Sequence, residues 1–134
     1  MFKTETTIRV RYAETDRMNY VYYGNYASYF EVARVEALRG IGISYKKMEE
    51  EGFLLPVYEY NVKYFKPAFY DDVLLIKTCI PVMPLVRIVV NYEIYNDSSE
   101  KICEAHTTLV FMSSETNKPC KAPEEFLSKL RNYF

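Results

Sequence analysis

Asp16 and the dipeptide Tyr23-Gly24 are the positions of this 134-residue chain whose types and spacing point most directly to chemistry. The aspartate closes the run Tyr12-Ala13-Glu14-Thr15-Asp16, where a first strand gives way to a loop. Seven residues after it, Tyr23-Gly24-Asn25-Tyr26 opens a helix. The first free backbone N–H groups of a helix attract negative charge and polarise a carbonyl placed against them. A carboxylate on the approaching loop can attack that carbonyl, or activate a water to do so. Thioesters are the easy acyl class, so a carboxylate and an oxyanion site suffice without a triad. Aspartates in loops before helices are also common as turn or capping residues, and from spacing alone that is the commoner reading.

The elements that must position these residues follow from periodicity. Residues 3–12 alternate loosely, with Ile8, Val10 and Tyr12 against Thr7, Arg9 and Arg11, as a strand does. Asn25 is placed to cap a helix in which Tyr26, Phe30, Ala33 and Ala37 recur at helical spacing, ending at Gly40. A short second helix is expected over 44–51, stopped by Gly52. The period then changes to two. A strand over 56–66 carries Tyr58, Tyr60, Val62 and Tyr64 on one side and ends at Pro67. Val73–Ile80, the alternating run around Ile88–Ile94, and 101–112 give three more, with a turn at Asn96-Asp97-Ser98-Ser99. Pro123, Glu124 and Glu125 open a C-terminal helix with the charge its N-terminus prefers. The expected architecture is α+β in one domain over 1–134: a strand, a central helix, four strands in meander and a final helix.

Composition excludes several classes. Apolar residues make up 49% of the chain, too many for disorder. Seventeen basic against eighteen acidic residues, with no long basic run, leave nucleic acid without an electrostatic footprint. No apolar run approaches the roughly 20 residues of a membrane span, and the charged N-terminus is unlike a signal peptide. Cys79, Cys103 and Cys120 lack CxxC spacing and are odd in number, so a reducing cytoplasm is expected. Cys79 and Cys103 read as small core residues, and Cys120, among polar neighbours, as an exposed thiol. His106 is the only histidine and lies within the last strand, so neither a zinc site nor a histidine-driven mechanism is expected. The 14 tyrosines suit half-wet surfaces such as pockets or subunit interfaces, though core packing accounts for part of them.

Three blocks in register carry a resemblance. Arg11-Tyr12-Ala13-Glu14-Thr15-Asp16, then Val21-Tyr22-Tyr23-Gly24-Asn25-Tyr26, then Tyr29-Phe30-Glu31-Val32-Ala33-Arg34 resemble the 4-hydroxybenzoyl-CoA thioesterase family of the hot-dog fold. Phe69-Tyr70-Asp71-Asp72-Val73-Leu74 is similar to that family's entry into its third strand. The match is dense over the N-terminal third and continues through strand order. It implies a long central helix wrapped by a five-stranded, largely antiparallel sheet, and hydrolysis of acyl-CoA to free acid and CoA. Asp16 matches the catalytic aspartate, as nucleophile or general base. The backbone N–H groups at Tyr23 and Gly24 match the helix entrance that polarises the carbonyl. No cofactor is implied, and a homodimer or homotetramer with sites at subunit interfaces is.

Two departures bear on these expectations. One branch of the family has a histidine seven residues after the aspartate, where this chain has Tyr23, so the chemistry rests on Asp16 and the helix entrance. Some relatives carry a basic cluster between the third and fourth strands for coenzyme A phosphates. Here Pro81–Val86 is uncharged and only Arg87 follows, so phosphate recognition falls to Arg87, Lys118 or Lys121. An acyl-ACP thioesterase on the same scaffold, or a non-catalytic acyl-binding dimer, stand as alternatives. Glu31 matches an acidic family position, although an ion pair with Arg34 at i+3 explains it as well. Glu14 reads as a solvated carboxylate. Asn61 and Tyr64 are candidates to line the acyl pocket from the second strand.

Overall fold

Alternating apolar positions generate five long strands, and the computed structural model, which describes residues 1–134, shows how they are ordered. In chain order the elements are β1 Phe2–Arg9, α1 Tyr26–Arg39, α2 Tyr45–Glu50, β2 Phe53–Leu54 and β3 Val57–Tyr64. After them come β4 Val73–Ile80, β5 Arg87–Tyr95, β6 Lys101–Val110, β7 Met112–Ser113 and α3 Glu124–Leu130. The sheet runs β1-β4-β5-β6-β3 with every neighbour antiparallel, and β2 and β7 form a separate short ribbon.

The meander expected of the last four long strands is only partly formed. β4, β5 and β6 follow one another, but β3 pairs with β6 at the far edge. The cause lies in residues 65–72. Pro67 has no N–H to give a ladder, and the Phe65 and Lys66 N–H groups both turn back onto the Ile102 carbonyl. The chain then crosses the end of the sheet. It is caught by Val21 N–H on the Ala68 carbonyl at 2.8 Å and by mutual bonds of Val10 with Asp71 and Asp72.

Register sorts the two faces. Leu74, Ile76 and Ile80 of β4, Ile88, Val90, Tyr92 and Ile94 of β5, and Ala105 and Leu109 of β6 are buried on the inner face. α1, roughly 21 Å long, lays Tyr26, Phe30, Ala33, Ala37 and Leu38 against it. The Phe30 ring lies 4.7 Å from Tyr92 and the Tyr26 ring 5.1 Å from Tyr64. The outer face carries Lys3, Lys77, Asn91, Glu93, Glu104 and His106. No helix is long and apolar enough to cross a membrane.

Helix ends differ from expectation at one point. Asn25 does not cap α1: its φ and ψ are helical, and a 3-10 turn over Tyr23–Asn25 extends the helical run, with Tyr22 as the extended residue before it. Asn25 instead spends its side chain on the Glu14 carbonyl at 2.8 Å. Ser44 caps α2 by accepting the Lys47 N–H, and Gly52, at φ +93°, turns the chain after it. Cys103 is buried on the inner face, Cys79 is half-buried on the outer one, and Cys120 packs partly on the core rather than standing exposed.

Arg34 is the one buried cation. It is 8% exposed and has no carboxylate partner. Its Nε donates to the Tyr45 hydroxyl at 3.1 Å and Nη1 to the Tyr92 hydroxyl at 3.0 Å, which shares a 3.0 Å bond with Thr107. The ion pair expected with Glu31 is therefore not made, and Glu31 is exposed. The network ties α1 to α2, β5 and β6 through groups that a hydrocarbon interior would otherwise leave unsatisfied. Arg34→Ala is expected to cost about 3 kcal/mol in urea unfolding, with Arg34→Met recovering part of it by filling volume. A loss below about 0.5 kcal/mol, the range of an ordinary surface substitution, would show the network to be idle.

Candidate active site

The loop between β1 and α1 is built around Glu14. After β1 the chain makes a 3-10 turn, Tyr12–Glu14, closed by the Glu14 carboxylate. One oxygen accepts the Arg11 N–H and the Tyr29 hydroxyl, both at 2.8 Å; the other accepts the Arg11 guanidinium at 3.1 Å and 3.2 Å. The Glu14 carbonyl takes the Tyr22 N–H and the Asn25 amide. Expected as solvated, this side chain is only 13% exposed. Burial pushes its carboxyl up, but the hydrogen bonds from Arg11 N–H, Tyr29 and the Arg11 side chain outweigh that, so it titrates below its ordinary value. Burial first, and then the bond to Glu14, push the Tyr29 hydroxyl up, so it stays protonated and donating.

Asp16 opens the tight turn that follows. Its N–H donates to the Tyr20 carbonyl at 2.9 Å, its own carbonyl accepts the Asn19 N–H at 3.0 Å, and Thr15 bridges to Val21. Asn19 sits in the left-handed region at φ 67°, which asparagine tolerates better than most residues. Asp16 Oδ1 accepts the Met18 N–H at 2.9 Å. The turn-forming reading of this aspartate therefore holds for one oxygen, while Oδ2 makes no hydrogen bond within the chain.

That half-engaged carboxylate lines a cleft of about 380 Å³ with Met18, Tyr23, Tyr26, Tyr64, Phe65 and Pro67. Tyr26 is buried, and the Tyr64 hydroxyl donates to the Tyr23 carbonyl at 3.2 Å, joining β3 to the helix entrance. At that entrance no side chain caps the 3-10 turn, and the first donor used within it is Asn25 N–H, to the Tyr22 carbonyl. The Tyr23 and Gly24 N–H groups precede it and are the orphan donors of the helical run. A Cβ at Gly24 would stand 2.6 Å from the exposed Tyr22 ring, so a larger residue there would have to displace that ring.

Of the residues singled out from sequence, the structure brings Asp16, Tyr23 and Tyr64 to one cleft, with Gly24 beside it. Glu31 is exposed on α1 and does not line the cleft. Asn61 points to the outer face, opposite His106 in the β3–β6 register, because its parity is the reverse of Tyr64. His106 bonds Asn91 at 2.9 Å and Thr108 at 3.2 Å, across the sheet from Asp16. Arg87 stacks on Tyr58 and pairs with Val110 of β6, seven residues and roughly 23 Å along that strand from Cys103, the partner of Tyr64. Lys118 and Lys121 flank that same far end, where Ala122 N–H bonds the Leu85 carbonyl. Glu14, Met18 and Tyr29 were not picked out from sequence as parts of the site. The i, i+3 relation of Tyr26 and Tyr29 marks a helix face, but nothing local joins Tyr29 to a residue fifteen positions earlier.

Glu14→Ala is expected to lower kcat/KM about 10–100-fold by loosening the Asp16 turn. Because Glu14 titrates below its ordinary 4.5, its contribution to stability is complete above that value and fades as the pH falls through and beneath it. Melting curves of the wild type and Glu14→Gln should therefore converge toward acid pH, and a constant gap would count against this role.

A family model described as the thioesterase-like superfamily matches residues 10–130. YneP of Bacillus subtilis, provisionally named an acyl-CoA thioesterase, is 34% identical over 126 residues, covering 94% of this chain and 91% of its own. The acyl-CoA thioester hydrolase YbgC of Escherichia coli is 30% identical over 124 residues, covering 92% of each. Among solved structures, the DHNA-CoA thioesterase of Staphylococcus aureus matches with a TM-score of 0.86 at 38% identity, over 100% of this chain and 85% of that one.

Proposed function

Because the chain belongs to the thioesterase-like superfamily and so acts as a hydrolase of thioesters, we propose that it cleaves acyl-CoA to the free acid and CoA with Asp16 as the reacting carboxylate. The observation that carries this is the free Oδ2 of Asp16, held by its own turn on the same cleft as an uncapped helix entrance. In the general-base form, Oδ2 takes a proton from water as the water oxygen attacks the thioester carbon. The oxyanion then rests on the Tyr23 and Gly24 N–H groups, and collapse expels the thiolate, which is reprotonated. In the nucleophilic form Oδ2 attacks first and water opens the resulting anhydride. Both need the same residues, and neither uses a histidine: position 23 is tyrosine and His106 is on the other face.

The acyl group occupies the Tyr26–Tyr64–Phe65 cleft, whose aromatic lining suits a short, branched or aromatic chain. An acyl-ACP substrate is the second reading, favoured by the distance of Arg87, Lys118 and Lys121 from Asp16. β3 supports a homodimer, further assembled as a tetramer. It is an edge strand with an unpaired backbone and exposed Val57, Tyr58, Tyr60 and Tyr64, a surface that a second copy would cover.

Asp16→Asn keeps an acceptor for the Met18 N–H and so preserves the turn, but it removes the base. Thiol release from acyl-CoA is expected to fall about 10²–10⁴-fold with melting temperature unchanged, and full activity in this variant would sink the assignment. His106→Ala should leave turnover as it is. Sedimentation at micromolar concentration should give a dimer or larger species, and a monomer would overturn the proposed assembly.

A further inference from the structure

Of the five methionines in the chain, Met48 is buried, and Met83 and Met112 are half-buried; Met1 and Met18 stand mostly in solvent. Met18 is 61% exposed and is the one of the five that lines the cleft with Asp16. It is held at both ends. Its N–H donates to Asp16 Oδ1 at 2.9 Å, and its Sδ accepts the Tyr20 hydroxyl at 3.0 Å. Tyr20 lines the same cleft, and its carbonyl closes the turn by accepting the Asp16 N–H. The thioether is thus open to solvent, oriented by a hydroxyl and part of a mostly apolar wall. Met1 is the other exposed thioether, but its Sδ lies 3.7 Å from Cys79 Sγ on the outer face of the sheet, away from this cleft. Susceptibility to oxidation follows exposure, and a sulfoxide is polar where the thioether was apolar.

We propose that Met18 is an oxidative modification site, at which a peroxide makes one wall of the acyl cleft polar and so weakens acyl binding; this rests on the reading of that cleft as the acyl site. The Tyr20 proton occupies one of the two lone pairs of Sδ and leaves the other as nucleophile. That pair attacks one oxygen of the peroxide, and an S–O bond forms as the O–O bond breaks. Sulfur is oxidised by two electrons. The departing hydroxide takes the proton of the transferred oxygen and leaves as water. The new oxygen is a stronger acceptor than the thioether, and its nearest donor is the Tyr20 hydroxyl that already held the sulfur. Tyr20 therefore keeps the oxygen against the cleft rather than letting it swing into water. An acyl chain entering there must strip a polar group of solvent without giving it a partner. The backbone bond from Met18 to Asp16 is untouched, so the effect falls on binding rather than on the reacting carboxylate. Methionine sulfoxide reductases reverse the change, which makes it a switch and not a lesion.

The test treats the full chain and Met18→Leu with hydrogen peroxide until Met18 of the wild type carries one added oxygen by peptide mass. The peroxide is then removed and the cysteines are returned to thiols with dithiothreitol, which leaves sulfoxides in place. Hydrolysis of hexanoyl-CoA is measured before and after. The expected result is oxidation of Met18 ahead of Met48, Met83 and Met112, with KM raised about tenfold and kcat little changed. Methionine sulfoxide reductase should restore the starting KM. Met18→Leu, whatever its own KM, should keep that value through the same treatment. An equal rise in Met18→Leu, an unaltered KM with Met18 fully oxidised, or a Met18 that stays reduced while the buried methionines oxidise overturns the proposal. Should the untreated wild type not hydrolyse hexanoyl-CoA, the catalytic reading fails on its own. Calorimetric titration of hexanoyl-CoA then decides the modification site: weaker binding to the oxidised protein supports it, and equal binding, or none to either form, removes it.

Discussion

The loop from Arg11 to Tyr22 has no ladder to hold it in place, since only single bridges at Thr15–Val21 and Tyr20–Phe69 join it to itself and to the crossover. What fixes it is the set of hydrogen bonds converging on Glu14. The carboxylate closes the turn before Asp16 and reaches Tyr29 on the first full turn of α1, while the carbonyl holds Tyr22 and Asn25 at the helix entrance. Asp16 lies two residues after Glu14 in sequence, and the free N–H groups of Tyr23 and Gly24 lie between the two residues, Tyr22 and Asn25, that the Glu14 carbonyl holds. Their relative position is therefore set by a partly buried anion with every strong acceptor direction used, a stiffer mounting than loop backbone alone provides.

The rest of the fold serves that mounting. α1 must lie at a fixed depth on the sheet for Tyr29 to meet Glu14, and Arg34, one and a half turns further on, anchors it through Tyr92 and Tyr45. The crossover over 65–72 does the same from the other side. By carrying the chain from the edge strand β3 over to β4 beside the opposite edge, it puts Phe65 and Pro67 against the cleft that Asp16 lines and Tyr70 against Tyr12.

The elements were legible in the sequence because period-two and helical patterns are local: the five long strands, the central helix and the C-terminal helix lie close to where alternation and capping put them. The cleft was legible where its logic was also local, in Asp16 and Tyr23, which line it, and in Gly24 beside them. The place of β3 in the sheet was not, since nothing within 56–66 says which strand it will meet. Asn61 and Tyr64 differ only in parity, and parity decides a face only once the core side is known. Glu14 looks like any loop acid, because its partner Tyr29 arrives only when the helix folds back. Arg87, Lys118 and Lys121 are basic and near one another, but being together at one end of the sheet is not being near the chemistry.

The bond from Met18 N–H to Asp16 Oδ1 looks like an ordinary feature of a turn, yet it acts on a torsion. A free carboxylate rotates about its terminal bond, and each productive encounter must wait for, and entropically stop, that rotor. Here the folded chain has already stopped it, with one lone-pair set facing the backbone and the other facing the cleft. In the chemistry proposed for Asp16, that disorder would be removed once, when the protein folds, rather than at every turnover. The backbone N–H of Met18, a residue the sequence does not single out, is in this way what gives the second oxygen of Asp16 a direction.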